Sequence, residues 1–575
     1  MLLDFRNINT LWCSVLVETL VRLGLKEAVI CPGSRSTPLT IAFVNHPQIK
    51  TIPVLDERSA AFFALGKAKQ SSLPVVLVCS SGTAGANFYP AVIEASETHV
   101  PLIILTADRP PELRHCHAGQ TIDQIKLYGS YPNWYAEFAL PKASLYMLAY
   151  LRQNIVQAWK KSLYPHRGIV HLNCPFREPL APIVQPEIEA KRDSLVEASF
   201  FAHLKPFQNS PSTESVIKSS LELNPIGIIV AGLTQTPYPE KYCREIALLS
   251  RKLQFPVLAE ALSPLRNYAS LNPYLITTYD AILREPAKAA KLQPQTIVQI
   301  GELPTSKKLR NWLDRLSATR YVLTQDGENF DPLHGRTIHL QTSLRAFSET
   351  VSLQNSDLAN EYLQTWCTFE SETRKAISLK LEPLEDLYEG KVAWLISQHL
   401  PPQTPIFLAN SMSVRNAEFF WQPNDTHTVP HFNRGANGID GTLSTALGIA
   451  DSSDLPTVML TGDLALLHDT NGFLINNHFS GHLTIILINN NGGGIFELLP
   501  IARFDPPFEK YFATPQNIDF ASLSQTYGVE YHLIKNWQQL PPLLDPLPDK
   551  GIRLLEIKTN RKQDANWLKN NLGQL

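Results

Sequence analysis

Residues 457–473, TVMLTGDLALLHDTNGF, and 485–496, IILINNNGGGIF, each end an apolar run in small and polar residues. The first run stops at Gly462-Asp463 and the second at Asn489-Asn490-Asn491-Gly492. Between Asp463 and Asn490 there is room for a loop, a helix and a second strand. Such a βαβ unit brings both carboxyl ends to one edge of a parallel sheet, where open α/β sheets bind ligands. A carboxylate, an amide oxygen and a glycine carbonyl are hard donors that suit Mg²⁺, whose shell is completed by water and phosphate oxygens. Bare backbone also lets a diphosphate approach closely. NNNGGG alone reads as a polar strand cap; paired with Gly462-Asp463 it reads as half of a metal–diphosphate cradle.

The same alternation runs through the rest of the chain. A helix is expected over Leu11–Leu23, with Asn9 or Thr10 as its cap and Gly24 near its end. Ala28–Ile30 leads into CPGSRSTP, Val75–Val78 into SSGTAGAN, and Leu102–Leu105 into TADRPPE. Central strands are expected at Ile226–Gly232 and Thr296–Glu302, and later ones at Ile406–Leu408, Val458–Leu460, Ile485–Ile488 and Leu554–Ile557. The fold class is α/β: three domains with central parallel sheets flanked by helices. Polar passages at 184–194 and 342–357 are expected to separate them, giving domains at 1–188, 195–350 and 360–575.

With 575 residues, 44% hydrophobic and 18% charged, the composition is that of an ordinary globular protein with several cores. A formal net charge of −2 gives no global bias toward nucleic acid, and no nucleic-acid motif is present. The start, MLLDFRNINT, lacks the pattern of a signal peptide, and no apolar run reaches the roughly 18 residues of a membrane helix. Seven scattered cysteines without a CxxC pair read as reduced thiols in a cytosolic, cytoplasmic protein. His115-Cys116-His117 reads as an ordinary loop, because adjacent residues suit a zinc site poorly.

The pairing of Gly462-Asp463 with Asn489-Asn490 resembles the thiamine-diphosphate motif, although its usual third residue, glycine, is Leu464 here. Enzymes with that motif also need a carboxylate on the cofactor's pyrimidine ring, a general acid–base role relayed through the cofactor. Glu57, in VLDERSAAFFALGKAK, follows a short strand and opens a helix. Asp56-Glu57-Arg58 also suits a plain charged helix N-terminus; the metal motif downstream favours the functional reading.

Six ordered segments carry a closer resemblance: CPGSRSTPLT, DERSAAFFALGKAK, SSGTAGANFYPAVIEA, LTADRPPELR with GQTIDQ, NRGANGIDGTLSTALG, and INNNGGGIFELLP. Together they resemble the 2-succinyl-5-enolpyruvyl-6-hydroxy-3-cyclohexene-1-carboxylate (SEPHCHC) synthases of menaquinone and phylloquinone biosynthesis. The resemblance implies a thiamine-diphosphate-binding fold with pyrimidine bound by the N-terminal domain and diphosphate by the C-terminal one. It implies a transferase that decarboxylates 2-oxoglutarate and adds the succinyl carbanion to isochorismate, with thiamine diphosphate and Mg²⁺ or Mn²⁺. Metal ligands would be Asp463, Asn490 and Gly492, with Gly462 in the cofactor loop and Glu57 as catalytic carboxylate. A homodimer with shared active sites, or a tetramer built from it, is implied too.

Both substrates are dicarboxylic acids, and arginine forks suit carboxylates. Matching positions are Arg35, Arg109, Arg415 and Arg434, with Ser411 and Gln120 adding hydrogen bonds. Lys307 and Lys308 match a basic substrate loop in which the second position is commonly arginine. Ile495, Phe496 and Leu499 resemble an apolar wall beside the reacting carbons, and Ile439 would support the cofactor rings; plain core packing accounts for these four nearly as well. Two rivals remain: another 2-oxo acid decarboxylase or acetolactate-type synthase, and a non-catalytic cofactor-binding scaffold.

Overall fold

A computed structural model describes residues 3–206, 221–325, 327–353 and 358–572. The chain gathers into two compact units. The first comprises residues 1–210, 433–454 and 468–481; the second comprises 211–432, 455–467 and 482–575.

The first unit is built on a parallel sheet of β1 (Glu27–Ile30), β2 (Lys50–Pro53), β3 (Val75–Cys79), β4 (Leu102–Asp108), β5 (Trp134–Glu137) and β6 (Ile169–Pro175), in the order β2-β1-β3-β4-β6-β5. β3, β4 and β6 are buried along their whole length. Helices covering both faces of a parallel sheet explain that unbroken burial. The helix Ile8–Leu23 lies against this sheet and begins earlier than the sequence suggested. Its cap is Asn7, whose side chain accepts the Thr10 N–H, while the Thr10 hydroxyl accepts the Asn7 N–H. Thr10 thus answers the cap from three residues inside the helix, the reciprocal box that satisfies two orphan donors.

The second unit holds the remaining strands. β7 (Leu221–Leu223) is followed by β8 (Gly227–Ala231), β9 (Val257–Ala259), β10 (Leu275–Ile276), β11 (Thr296–Ile300), β12 (Thr319–Thr324), β13 (Thr337–Gln341) and β14 (Val351–Leu353). Then come β15 (Pro405–Leu408), β16 (Val429–His431), β17 (Thr457–Gly462), β18 (His482–Asn489), β19 (Glu530–Ile534) and β20 (Gly551–Lys558). Two more parallel sheets run β10-β9-β8-β11-β12-β13 and β16-β15-β17-β18-β20-β19, and β7 pairs with β14.

The passages expected to be connections are structured where described. Pro186–Glu189 is a helical turn, and 342–353 contains the helix Leu344–Thr350 and β14. Phe347 and Val351 are buried there, which is why this polar-looking stretch folds. Residues 354–357 lie outside the described set.

Strand order reverses direction between β1 and β3, between β8 and β11, and between β15 and β17. At such a reversal the connections leave to opposite sides, opening a crevice at the strands' carboxyl ends. The loops beyond those ends are CPGSRSTP and SSGTAGAN, then GELPTSKK, then ANSMSVR and Gly462-Asp463.

Candidate active site

In the first unit, two of the candidate residues, Arg109 and Gln120, converge on one serine. Arg109, after β4, donates to the Ser81 hydroxyl. Gln120 donates from Nε2 to the Ser81 carbonyl at 3.0 Å and accepts the Ser81 hydroxyl on its own carbonyl at 3.0 Å. Arg35 is half-buried, with Nη1 on the Phe176 carbonyl at 3.0 Å and 3.5 Å from Glu178 Oε1. Burial, then repulsion from Arg109, lower the Arg35 pKa. Two guanidiniums that repel each other across a half-buried crevice favour an anion between them. Glu57 is the first residue of the helix Glu57–Ser71, after β2 and so at the same sheet edge, and is half-buried. Asp56 caps that helix through the Arg58 N–H at 2.9 Å and is held by Asn471 Nδ2 at 2.7 Å.

Arg434 and Ile439, both half-buried, belong to the loop before the helix Thr442–Asp451. Glu94 anchors that loop, accepting the N–H groups of Gly435 at 3.1 Å and Ala436 at 2.8 Å. Asp469 accepts the Ser444 N–H at 2.7 Å at the start of the helix, and burial pushes its pKa up to about 7.

In the second unit, β17 and β18 pair in parallel with Gly462 opposite Ile488, so Asp463 and Asn490 leave one sheet edge together. Asp463 is the first residue of the helix Asp463–His468, directly after β17 rather than its last residue. Its Oδ2 accepts the Gly492 N–H at 2.8 Å, and burial raises its pKa to about 6. Leu464 therefore sits in a helical turn, and its φ is not positive. That explains why leucine replaces the usual glycine without strain. Gly492, by contrast, has φ +139, and a Cβ there would lie 2.3 Å from the Ala513 carbonyl. At Gly462 a Cβ would meet nothing within 4 Å, so the fold itself does not demand glycine there.

Asn490 supplies the test of fit for a cation. Its Nδ2 donates to Glu389 Oε2 at 3.3 Å. Its Oδ1 is buried and has no partner among the described residues, an arrangement costing about 1–3 kcal/mol unless something is bound there. The Gly492 carbonyl accepts the Gly494 N–H at 2.9 Å, which leaves its second lone pair for a metal. Among the described residues no three His, Cys, Asp or Glu side chains cluster as a metal site. The set here has one carboxylate, one amide oxygen and one carbonyl, hard donors that fit Mg²⁺ or Mn²⁺ beside a diphosphate.

Ser411, after β15, has φ 71 and precedes the helix Met412–Phe420; its carbonyl accepts Arg415 Nη1 at 2.6 Å. A non-glycine residue in that region is strained, and such strain gathers at ligand sites. Lys307 and Lys308 are exposed in the first turn of the helix Lys307–Asp314, after β11. Ile495 packs on the apolar core, Phe496 meets Phe512 edge-on at 5.9 Å, and Leu499 is exposed. His115-Cys116-His117 is an exposed loop.

Sequence reasoning passed over Ser81 and Glu389. Ser81 stands in a quoted loop but carries no charge to draw attention. Glu389 is buried beside Asn490 although 101 residues away; burial and the neighbouring Asp564 carboxyl push its pKa up to about 8. Only tertiary structure brings it there.

Two regions match models of thiamine pyrophosphate enzymes: residues 13–127 match the N-terminal TPP binding domain, and residues 209–408 the middle domain of thiamine pyrophosphate enzymes. The chain is 62% identical to the 2-succinyl-5-enolpyruvyl-6-hydroxy-3-cyclohexene-1-carboxylate synthase of Gloeothece citriformis, over 100% of this chain and 99% of that one. Synthases of the same name from Rippkaea orientalis and a Nostoc species are 58% and 57% identical, over 100% and 99% of this chain and 98% of each relative.

Proposed function

Since the chain belongs to the SEPHCHC synthase family, whose members are thiamine-diphosphate-dependent transferases, we propose that Asp463, Asn490 and the Gly492 carbonyl hold the metal and that Glu57 is the catalytic carboxylate. The reaction is decarboxylation of 2-oxoglutarate and 1,4-addition of the succinyl unit to isochorismate, a step of menaquinone and phylloquinone biosynthesis. Thiamine diphosphate, when bound, supplies the electron sink for loss of CO₂. The observation that carries the metal assignment is the buried Asn490 Oδ1, which has no partner among the described residues, at the sheet edge where Asp463 also emerges.

The chain's own residues account for the rest. Glu57 holds or releases a proton at the pyrimidine ring. Arg35 and Arg109, with Gln120, clamp one substrate carboxylate, and Ser411, Arg415, Arg434, Lys307 and Lys308 meet the others. Ile439 supports the cofactor rings, while Ile495, Phe496 and Leu499 keep water from the reacting carbons. Gly462 leaves space beside Asp463 for the diphosphate. We assign pyrimidine binding to 1–188, a central domain to 195–350 and diphosphate binding to 360–575; each span contains one six-stranded parallel sheet. The catalytic unit is a homodimer with shared sites, and the enzyme works in the cytoplasm. Among the described residues no helix is long and apolar enough to cross a membrane.

The test is to incubate the purified protein with thiamine diphosphate, Mg²⁺, 2-oxoglutarate and isochorismate, following isochorismate by absorbance and the adduct by mass. Glu57→Gln should slow turnover by about 10²-fold or more, the size of an acid–base contribution. Asn490→Ala should weaken Mg²⁺ binding, read by titration without substrate. Persistent isochorismate beside consumed 2-oxoglutarate would instead favour a decarboxylase or acetolactate-type enzyme.

A further inference from the structure

Two arms of the second unit carry groups assigned above to substrate carboxylates. One is the helix Lys307–Asp314, which starts with Lys307-Lys308; the other is the helix Met412–Phe420, which carries Arg415. They are distant in sequence, yet neighbouring residues of the short helix Tyr279–Ile282 grip both. The Tyr279 hydroxyl donates to Glu418 Oε1 on the arginine arm. Asp280 Oδ2 accepts the hydroxyl of Ser306, the N-cap of the lysine arm, which itself accepts the Leu309 N–H at 3.1 Å. The other Asp280 oxygen takes Arg284 Nε at 2.7 Å.

A second strap runs parallel to the first. Glu418 Oε2 accepts Arg266 Nη2 at 2.9 Å and the Ala261 N–H at 2.8 Å. Next to Ala261, Glu260 accepts the Thr305 N–H at 2.7 Å, at the root of the lysine arm. Tyr279, Asp280, Glu260, Arg266, Ser306 and Glu418 are all buried. Arg266 already pairs with Glu418, and Arg284 with Asp280. Charge pairing does not require adjacent side chains of one helical turn to reach two separate arms. Fixed separation of the arms does.

We propose that Tyr279 and Asp280 are positioning residues that set the lysine arm against the Ser411–Arg415 arm, and so govern how the substrates' carboxylates are recognised. The proposal rests on the reading of Lys307, Lys308 and Arg415 as carboxylate ligands. Neither residue touches substrate; each acts through the arm it holds.

The test compares Asp280→Ala, Asp280→Asn and Tyr279→Phe with Lys307→Ala/Lys308→Ala and Arg415→Ala, measuring kcat, KM for each substrate and the thermal midpoint. Asp280→Ala should raise, by about tenfold, the same KM that the lysine variant raises, with kcat changed by less than about threefold. Asp280→Asn, whose amide oxygen still accepts the Ser306 hydroxyl, should recover most of that loss. Tyr279→Phe should raise the KM that Arg415→Ala raises. Equal losses in kcat and both KM values, following the fall in thermal midpoint, would overturn the proposal in favour of a purely structural role. An unchanged KM in Asp280→Ala beside a raised one in the lysine variant would overturn it too, while leaving the carboxylate reading intact. If the lysine variant moves neither KM, the carboxylate reading of that arm fails first, and the proposal falls with it.

Discussion

Lowering the pH from 7 to 5 should cost the first unit stability through one buried ring, His171 on β6. The imidazole lies between Tyr128 and Tyr135, at centroid distances of 4.8 and 5.2 Å. Its Nε2 is 2.8 Å from the Thr106 hydroxyl, which donates onward to Asn173 Oδ1 at 2.9 Å. With that hydroxyl proton committed, the ring is the donor, so His171 is neutral and carries its proton on Nε2. Nδ1 is buried with no partner among the described residues. Charging the ring would leave a proton on Nδ1 facing no acceptor, and burial pushes the pKa down to about 3. In the unfolded chain the ring titrates near 6.5. Below that value the unfolded state takes up a proton that the folded state refuses, so stability is intact above about pH 6.5 and lost as pH falls toward 3. By pH 5 the loss is about 2 kcal/mol, from roughly 1.4 kcal/mol per pH unit.

Buried carboxyls with raised pKa values, such as Asp469 near 7, act in the opposite sense and mask this slope in the wild-type protein. The measurement is therefore the difference in thermal midpoint between wild type and His171→Gln, whose amide N–H can still reach Thr106. Between pH 7 and 5 that difference should move by about 2 kcal/mol in the variant's favour, about 2 °C if the whole chain melts together. A difference independent of pH would refute both the tautomer and the burial argument. Asn173 also accepts Gln124 Nε2 at 2.9 Å, and Gln124 Oε1 takes the Gly82 N–H at 3.0 Å. The same ring therefore backs the loop that positions Arg109 and Gln120.

Gly66→Ala should destabilise the first unit by about 1–3 kcal/mol, as overpacking does. A Cβ there would lie 2.0 Å from the Thr445 carbonyl, where the helices Glu57–Ser71 and Thr442–Asp451 touch backbone to backbone; an unchanged thermal midpoint would count against that contact. Lys67→Met should cost about 3 kcal/mol, because Lys67 Nζ is fully buried at 2.6 Å from Asp451 Oδ2 and 2.9 Å from Glu27 Oε1. Urea unfolding measures it, and a neutral result would mean that Lys50, 2.7 Å from the same Asp451 oxygen, carries the pair alone.

What was legible in the sequence was what burial writes locally. β3, β4 and β18 each contain an apolar run followed closely by glycine, serine, aspartate or asparagine, so both the strands and their chemically active ends could be found. Edge strands were not legible. β5, β13 and β19 are half-buried or exposed along most of their length and carry neither a continuous nor a cleanly alternating pattern. The same reason hid β14, three residues long, and its pairing with β7. The helix cap was missed by two residues because Asn7, Asn9 and Thr10 are all chemically eligible, and only geometry selects Asn7. Asp463 was read as the end of a strand and instead opens a helix, because a motif specifies residue types but not the dihedral angles between them.

The residues no sequence pattern could reveal share one physical task. A loop beyond a strand end has left the sheet's hydrogen-bond ladder, so its rigidity must come from side chains that reach back to its own polar groups. Ser81 does this for Arg109 and Gln120, Glu94 for the Arg434 loop, Glu260 for Thr305 beside the lysines, and Glu389 for Asn490. Three of these four anchors are carboxylates buried at cost, and each comes from another element, so its identity is set by tertiary placement. Glu389 shows what the cost achieves. By engaging the Asn490 nitrogen it fixes the amide so that the oxygen, not the nitrogen, is left facing the cradle, the orientation a cation requires.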